Sequence, residues 1–214
     1  MTELSQTLKD IAEIGGPVVL ILMAVSVGTL AIVLYKLWQF RAAGVGRHRA
    51  LKDAVAAWDS GDRTRANQAL ERSQSYLAPV IDMAFTQRAA DRLTSEAEAR
   101  FSRLERGLGA LDSVAQLAPL LGLFGTVLGM IEAFQALQSA GSQVDPSILA
   151  GGIWVALLTT AVGLAVAMPT ALIHSWFEAR MDAERVIADH AIQTVLAPQA
   201  TAARTDAIGT PAHA

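Results

Sequence analysis

Three long apolar stretches, separated by polar and charged sequence, organise this 214-residue chain. The first runs from about Pro17 to Leu37. The second runs from about Val114 to Phe134 and is interrupted only by Gln116 and Glu132 near its ends. Each supplies the ~20 residues that a helix needs to cross ~30 Å of hydrocarbon. The third, Ile148 to Ile173, has no charged residue and is long enough to cross with tilt. Between the first two, helical periodicity marks Arg47 to Trp58, which stops at the turn-like Asp59-Ser60-Gly61-Asp62, then Thr64 to Ser73, then Tyr76 to Ala90 with Pro79 in its first turn. Ser95 followed by Glu98 reads as a capping box opening a long helix whose apolar positions Phe101, Leu104, Leu108 and Leu111 lead into the second span. The third span likewise continues through Trp176, Phe177, Met181 and Ile187 at helical spacing. The expected fold is all-α, with three transmembrane helices and two long helices projecting beyond the membrane.

Basic residues orient the spans. Lys36, Arg41, Arg47, Arg49 and Lys52 follow the first, Arg100, Arg103 and Arg106 precede the second, and Arg180 and Arg185 follow the third. The loop Gln138 to Ser147 has no Lys or Arg, and the N-terminal flank has only Lys9 against Glu3, Asp10 and Glu13. The N-terminus is therefore expected outside and the C-terminus inside. Residues 1–15 form an outer segment, 16–37 the first transmembrane helix and 38–110 an inner helical region. Residues 111–136 form the second transmembrane helix, 137–147 an outer loop, 148–175 the third transmembrane helix and 176–197 an inner helix. Residues 198–214, rich in Ala, Thr and Pro, are expected to be disordered. The first span is longer than the ~7–15-residue apolar region of a signal peptide and ends in basic residues rather than a cleavage site, so it reads as uncleaved.

Composition agrees. Residues are 52% hydrophobic and 17% charged, with a mean hydropathy of +0.36, against about 25% charged in soluble domains. A net charge of −3 indicates no nucleic-acid footprint, and the absence of cysteine excludes thiol chemistry and disulfides. No HExxH, P-loop or GxGxxG occurs. His174 and Ser175 are adjacent and diverge by about 100° on a helix, so they form no dyad with each other. His48 and His190 read as solvated or packing residues. No enzyme activity, metal or cofactor is expected.

The chemistry lies in the second and third spans. Ala118, Gly122 and Thr126 fall on one helix face and Gly125, Gly129 and Ala133 on another; Gly152, Ala156 and Thr160 align in the third span, as do Gly163, Ala167 and Ala171. Small residues every four positions let helix backbones approach closely, and their presence on more than one face predicts an oligomer over a packed monomer. Thr126 lies twelve residues from the inner end of its span, ~18 Å at ~1.5 Å per residue. Thr160, next to Thr159, lies about ten residues, ~15 Å, from the outer end of the antiparallel third span. Both hydroxyls thus fall near the midplane. Each can rest on its own helix's carbonyl; at matched depth, beside Pro119 and Pro169, which free backbone carbonyls and kink the helices, they point, together with Thr159, to a lined polar pathway. No ionisable residue lies at mid-depth: Asp112 falls at the inner boundary and Glu132 at the outer. If protons cross, another polypeptide carries the carboxylate. Arg41, Arg47, Arg49 and Lys52 serve as an orientation signal or as a contact for anionic lipid headgroups.

In IGGPVVLILMAVSVGTLAIVLYKLWQF, LDSVAQLAPLLGLFGTVLGMIEAF and GGIWVALLTTAVGLAVAMPTAL, in this order, the chain resembles the MotA/TolQ/ExbB proton-channel family, in its three-span ExbB and TolQ branches. MotA-type stators have four spans and longer chains. The resemblance implies a homopentamer in the bacterial inner membrane whose second and third helices enclose two helices of an ExbD- or TolR-like single-span partner. That partner's membrane aspartate carries the protons, and their flow turns it within the ring. An ExbB-like subunit would energise a TonB-like transducer for outer-membrane import; a TolQ-like one would serve Tol–Pal envelope maintenance; a non-conducting scaffold is a third reading. Thr126 matches the threonine of the family's GLFGTV stretch, and Thr160 the one before A-x-G-L, both pore-lining in the family. Many relatives have glutamate five residues before the second threonine, where this chain has Val155.

Overall fold

The Gly16–Pro17 pair starts the first membrane-length helix. Gly16 has φ 67 and ψ −175, a region open essentially to glycine alone, and Pro17 follows with a φ suited to a helix's first turn. The computed structural model describes residues 2–87, 89–139 and 146–199. Among these, the regular elements are α-helices: α1 Thr2–Ala42, interrupted at Gly16, α2 Arg49–Asp59, α3 Arg63–Glu71, α4 Ala78–Thr86, α5 Ala90–Glu105, α6 Leu108–Ser139 and α7 Pro146–Leu196. Among the described residues three helical stretches are long and apolar enough to cross a membrane: Gly16–Ala42, Leu108–Ser139 and Leu149–Leu196. In α7 the charge-free apolar span ends at Ile173; from Glu178 to Asp189 charges recur every turn. The tail expected to be disordered lies, from residue 200 on, outside the described residues, as do residues 140–145 of the outer loop.

The chain divides into two units, Met1–Leu34 with Gly107–Phe177, and Tyr35–Arg106 with Glu178–Ala214. In the first, Val18 and Leu22 of α1 pack with Ala118 of α6 and Ala167 of α7. In the second, Leu51 and Trp58 of α2, Ile81 of α4, Phe101 of α5 and Ile192 of α7 are buried. The Trp58 indole stacks on Phe85 at 3.9 Å and donates its N–H to the Val195 carbonyl at 3.2 Å. The helix boundaries follow local chemistry: Gly61, at φ 89, forms the turn after α2, and the Asp62 carboxylate caps α3 by accepting the Arg65 N–H at 2.9 Å.

One expected helix is two. α5 begins at Ala90, so Ser95 lies inside it and caps nothing. It ends at Glu105, because Gly107 takes φ 95, which L side chains rarely adopt. The freed carbonyls find a cation: the buried Lys36 ammonium donates to the Leu104 carbonyl, to the Arg106 carbonyl at 3.0 Å and to Gln39 Oε1 at 2.6 Å.

The second unit also encloses a carboxylate. Glu184, with no exposed surface, has its Oε2 2.6 Å from His48 Nε2 and accepts the Tyr76 hydroxyl at 2.9 Å. Its Oε1 takes the Gly46 N–H at 3.0 Å and the Arg180 guanidinium at 3.1 Å. His48 is a packing residue, its Nδ1 held 3.0 Å from Ser75 Oγ. Burial alone would push the Glu184 carboxyl up; the hydrogen bonds and charges of His48, Tyr76 and Arg180 outweigh it and hold the group below its ordinary value. Burial, reinforced by Glu184, drives the Tyr76 phenol above its usual range. A depressed folded-state pKa means that Glu184 adds stability which is complete above the ordinary value of 4.5 and is lost as pH falls through the lower folded value. Thermal unfolding across a pH series should show acid destabilisation of the wild type. Glu184→Gln should be weakened near neutrality, by ~3 kcal/mol or more for a broken buried pair, and should respond less to acid.

Candidate functional site

Two small-residue faces meet in the first unit. On α6, Ala118, Gly122, Gly125, Gly129 and Ala133 are buried. Their spacings of four, three, four and four keep them on one stripe, so the two faces expected on this helix merge into one that meets α7, and Thr126 is left half-buried at its edge. On α7, Gly152 meets Ala133, Ala156 meets Gly129, Thr159 meets Gly125, and Gly163 meets Ala118 and Gly122. Ala167 joins Ala118 in the apolar cluster. The absence of side chains is required here: a methyl on Gly122 would stand 2.9 Å from the Thr159 carbonyl oxygen, and one on Gly163 2.7 Å from that of Ala118. Backbone meets backbone at these two positions.

This approach places three hydroxyls. Thr159 is buried; it donates to its own helix at the Ala156 carbonyl, 2.7 Å, and across to the Gly122 carbonyl at 3.3 Å. Thr160, half-buried, also reaches the Gly122 carbonyl at 3.3 Å. Thr126 donates to the Leu123 carbonyl on its own helix at 2.6 Å. Thr159 therefore packs between the helices, while Thr126 and Thr160 stand at the edge of the pair. α6 and α7 run through Pro119 and Pro169, which lack the N–H that would serve the carbonyls of Ala115 and Ala165. Away from this seam the pair presents Leu120, Phe124, Val127, Trp154, Leu157 and Met168 outward, the apolar surface expected where lipid or another membrane helix is the neighbour. Glu132 is exposed and borders a recess, and Asp112 is half-buried near the start of α6.

Of the four cations considered for lipid contact, Arg49 and Lys52 join Arg180 around a recess of ≈ 410 Å³ in the second unit, and Arg41 and Arg47 do not line it. Among the described residues no group of three or more His, Asp or Glu side chains is placed to hold a metal ion.

The α6–α7 seam falls within residues 57–189, which match the profile of the MotA/TolQ/ExbB proton channel family. The chain belongs to this family. An ExbB homolog of Methanothermobacter thermautotrophicus is 31% identical over 187 residues, covering 83% of this chain and 65% of that protein. The biopolymer transport protein ExbB of Neisseria meningitidis serogroup B is 27% identical over 192 residues, 79% of this chain and 86% of the relative. The Tol-Pal system protein TolQ of Haemophilus influenzae is 40% identical over 80 residues, 37% of this chain and 35% of its own. The chain thus spans just under two thirds of the archaeal relative and most of the neisserial one. Family membership and three apolar helices make it a multi-pass membrane protein of ExbB-like character.

Two features of this family member escaped sequence reasoning: the Glu184 centre and the Lys36 tie. Each had a signal. Glu184 shares an apolar helix face with Met181, Ala188, Ala191 and Val195, and Lys36 shares one with Val33 and Phe40. A charge in such a stripe is either paired or very costly.

Overpacking of a tight seam costs ~1–3 kcal/mol, so Gly122→Ala and Gly163→Ala should each lower the thermal midpoint of the purified protein. Gly109→Ala, where nothing lies within 4 Å of the added methyl, should leave it unchanged or raise it slightly.

Proposed function

We propose that this chain is the sleeve subunit of an ExbB-type motor in the bacterial inner membrane. The N-terminus lies in the periplasm and the C-terminus in the cytoplasm. Five copies surround two helices of an ExbD-like single-span partner, and protons cross on that partner's membrane aspartate. The supporting observation is the meeting of the Thr159 and Thr160 hydroxyls on the Gly122 carbonyl, in a helix pair with no ionisable residue between Ser113 and Ile131 on α6 or between Leu149 and Ile173 on α7.

The chemistry follows from that arrangement. A fixed charge in a membrane interior is costly and would trap the moving acid by pairing or repel it. A hydroxyl donates and accepts without carrying charge, so it can solvate the aspartate in either protonation state as it passes. Thr126 and Thr160 do this at the edge of the pair; Thr159 fixes helix spacing. Proton flow then drives relative motion of partner and sleeve, and a TonB-like transducer carries the work toward the outer membrane. The ExbB names of the longer matches support this branch. The TolQ match favours a Tol–Pal-like motor as the second reading, in which the sleeve is the same and the transducer differs; co-purification with one or the other transducer separates them.

The test is proton flux through the complex of this chain and its co-encoded single-span partner, reconstituted in liposomes. Removing a hydrogen bond worth ~1 kcal/mol from the path slows passage by a factor of about five. Thr160→Val should show that loss while the complex assembles normally, and Thr160→Ser should retain most of the flux. Full flux in Thr160→Val would contradict the proposal.

A further inference from the structure

The outer half of the α6–α7 pair carries one ionisable side chain, Glu132. It borders a recess of ≈ 210 Å³ whose other walls are Gly129, Ala133 and Ala136 of α6 and Gly151, Gly152 and Val155 of α7. Gly151 faces open space, whereas Gly152 and Gly129 are closed off by Ala133 and Ala156, and every wall except Glu132 is apolar. Glu132 lies six positions from Thr126, and Val155 five positions from Thr160, so the carboxylate stands ~8–9 Å outward of the hydroxyls at ~1.5 Å per residue. Gly129 and Ala156, packed so that a methyl added to Gly129 would stand 3.4 Å from the Ala156 Cβ, lie between the two levels.

We propose that Glu132 is the proton-collecting group at the outer mouth of the path. It rests on the function proposed above, specifically on the outer end of α6 facing the source of protons. The carboxylate accepts a proton from hydronium, leaving water, and becomes a carboxylic acid. It then releases that proton inward, through water in the recess, to the partner's ionised acid at the hydroxyl level, and returns to carboxylate. No other side chain of the recess can hold a charge or exchange a proton with water, and a lone anion in an apolar surround concentrates cations at its position. Val155 presents no second acid to compete for the proton.

The experiment measures proton flux against external pH for the liposome-reconstituted complex, with wild-type, Glu132→Gln, Glu132→Asp and Thr160→Val chains, each checked for thermal midpoint. Glu132→Gln should lower flux about tenfold near neutral external pH, the low end of the range for charge-focusing clefts. It should recover as the outside is made acid, because free hydronium then replaces the collector. Glu132→Asp should stay near wild type. A Glu132→Gln profile that superimposes on the wild-type curve, with Thr160→Val still blocked, overturns this inference and leaves the function standing. A Glu132→Gln loss equal at every pH also overturns it, showing a structural role. Unimpaired flux in Thr160→Val overturns the function and this inference together.

Discussion

Gly122 and Gly163 hold the α6 and α7 backbones against each other, and the chemistry of the first unit depends on that approach. With a side chain at either position the carbonyls of Thr159 and Ala118 would have to move away. Once the helices separate, the Gly122 carbonyl is out of reach of the hydroxyls that now meet on it at 3.3 Å. Glycine is a poor helix former in water, at a cost of about 1 kcal/mol relative to alanine. In a membrane, where no hydrophobic effect drives helices together, the dispersion attraction between closely approaching backbones offsets this. The seam is therefore a packing solution first, and its hydroxyl arrangement is a consequence of that packing.

The two units handle charge in opposite ways. The second buries Glu184 and Lys36, and both are fully engaged. Glu184 meets His48, Tyr76, Arg180 and the Gly46 N–H, and Lys36 meets two backbone carbonyls and Gln39. Breaking either set would leave a buried charge uncompensated, which is more costly than the net worth of the interactions themselves. The α6–α7 pair avoids the problem by keeping its middle neutral and leaving hydroxyls as its polar groups. A neutral wall presents no fixed counter-ion, which suits the proposed sleeve past which a partner's acid would move.

Much of this was legible in the sequence. The three apolar stretches mark helices because lipid demands an uninterrupted run of such residues, and Pro79, Gly61 and Asp62 mark turns and caps through local chemistry alone. The resemblance of the second and third spans agrees with the family profile that matches the chain. Features set by tertiary packing were harder to read. The division of α5 from α6 at Gly107 looked like a continuous helix, because the apolar period of Phe101, Leu104, Leu108 and Leu111 persists across it. The period records which side is buried and is insensitive to one residue at φ 95. Thr159 and Thr160 are adjacent and chemically identical, and only the packing of Gly125 against Thr159 distinguishes a spacer from an edge group. Lys36 served as an orientation signal in the sequence and proves also to tie the end of α5.

The central claim is that this chain supplies a neutral, hydroxyl-bearing wall around an acid that belongs to another polypeptide. It is tested most directly by a cryo-EM structure of the complex in a lipid disc, with the co-encoded partner present. The account predicts a ring with Thr126 and Thr160 turned to its axis and a partner helix whose carboxylate stands at their level. A centre filled by lipid, or threonines turned outward to the bilayer, would contradict it.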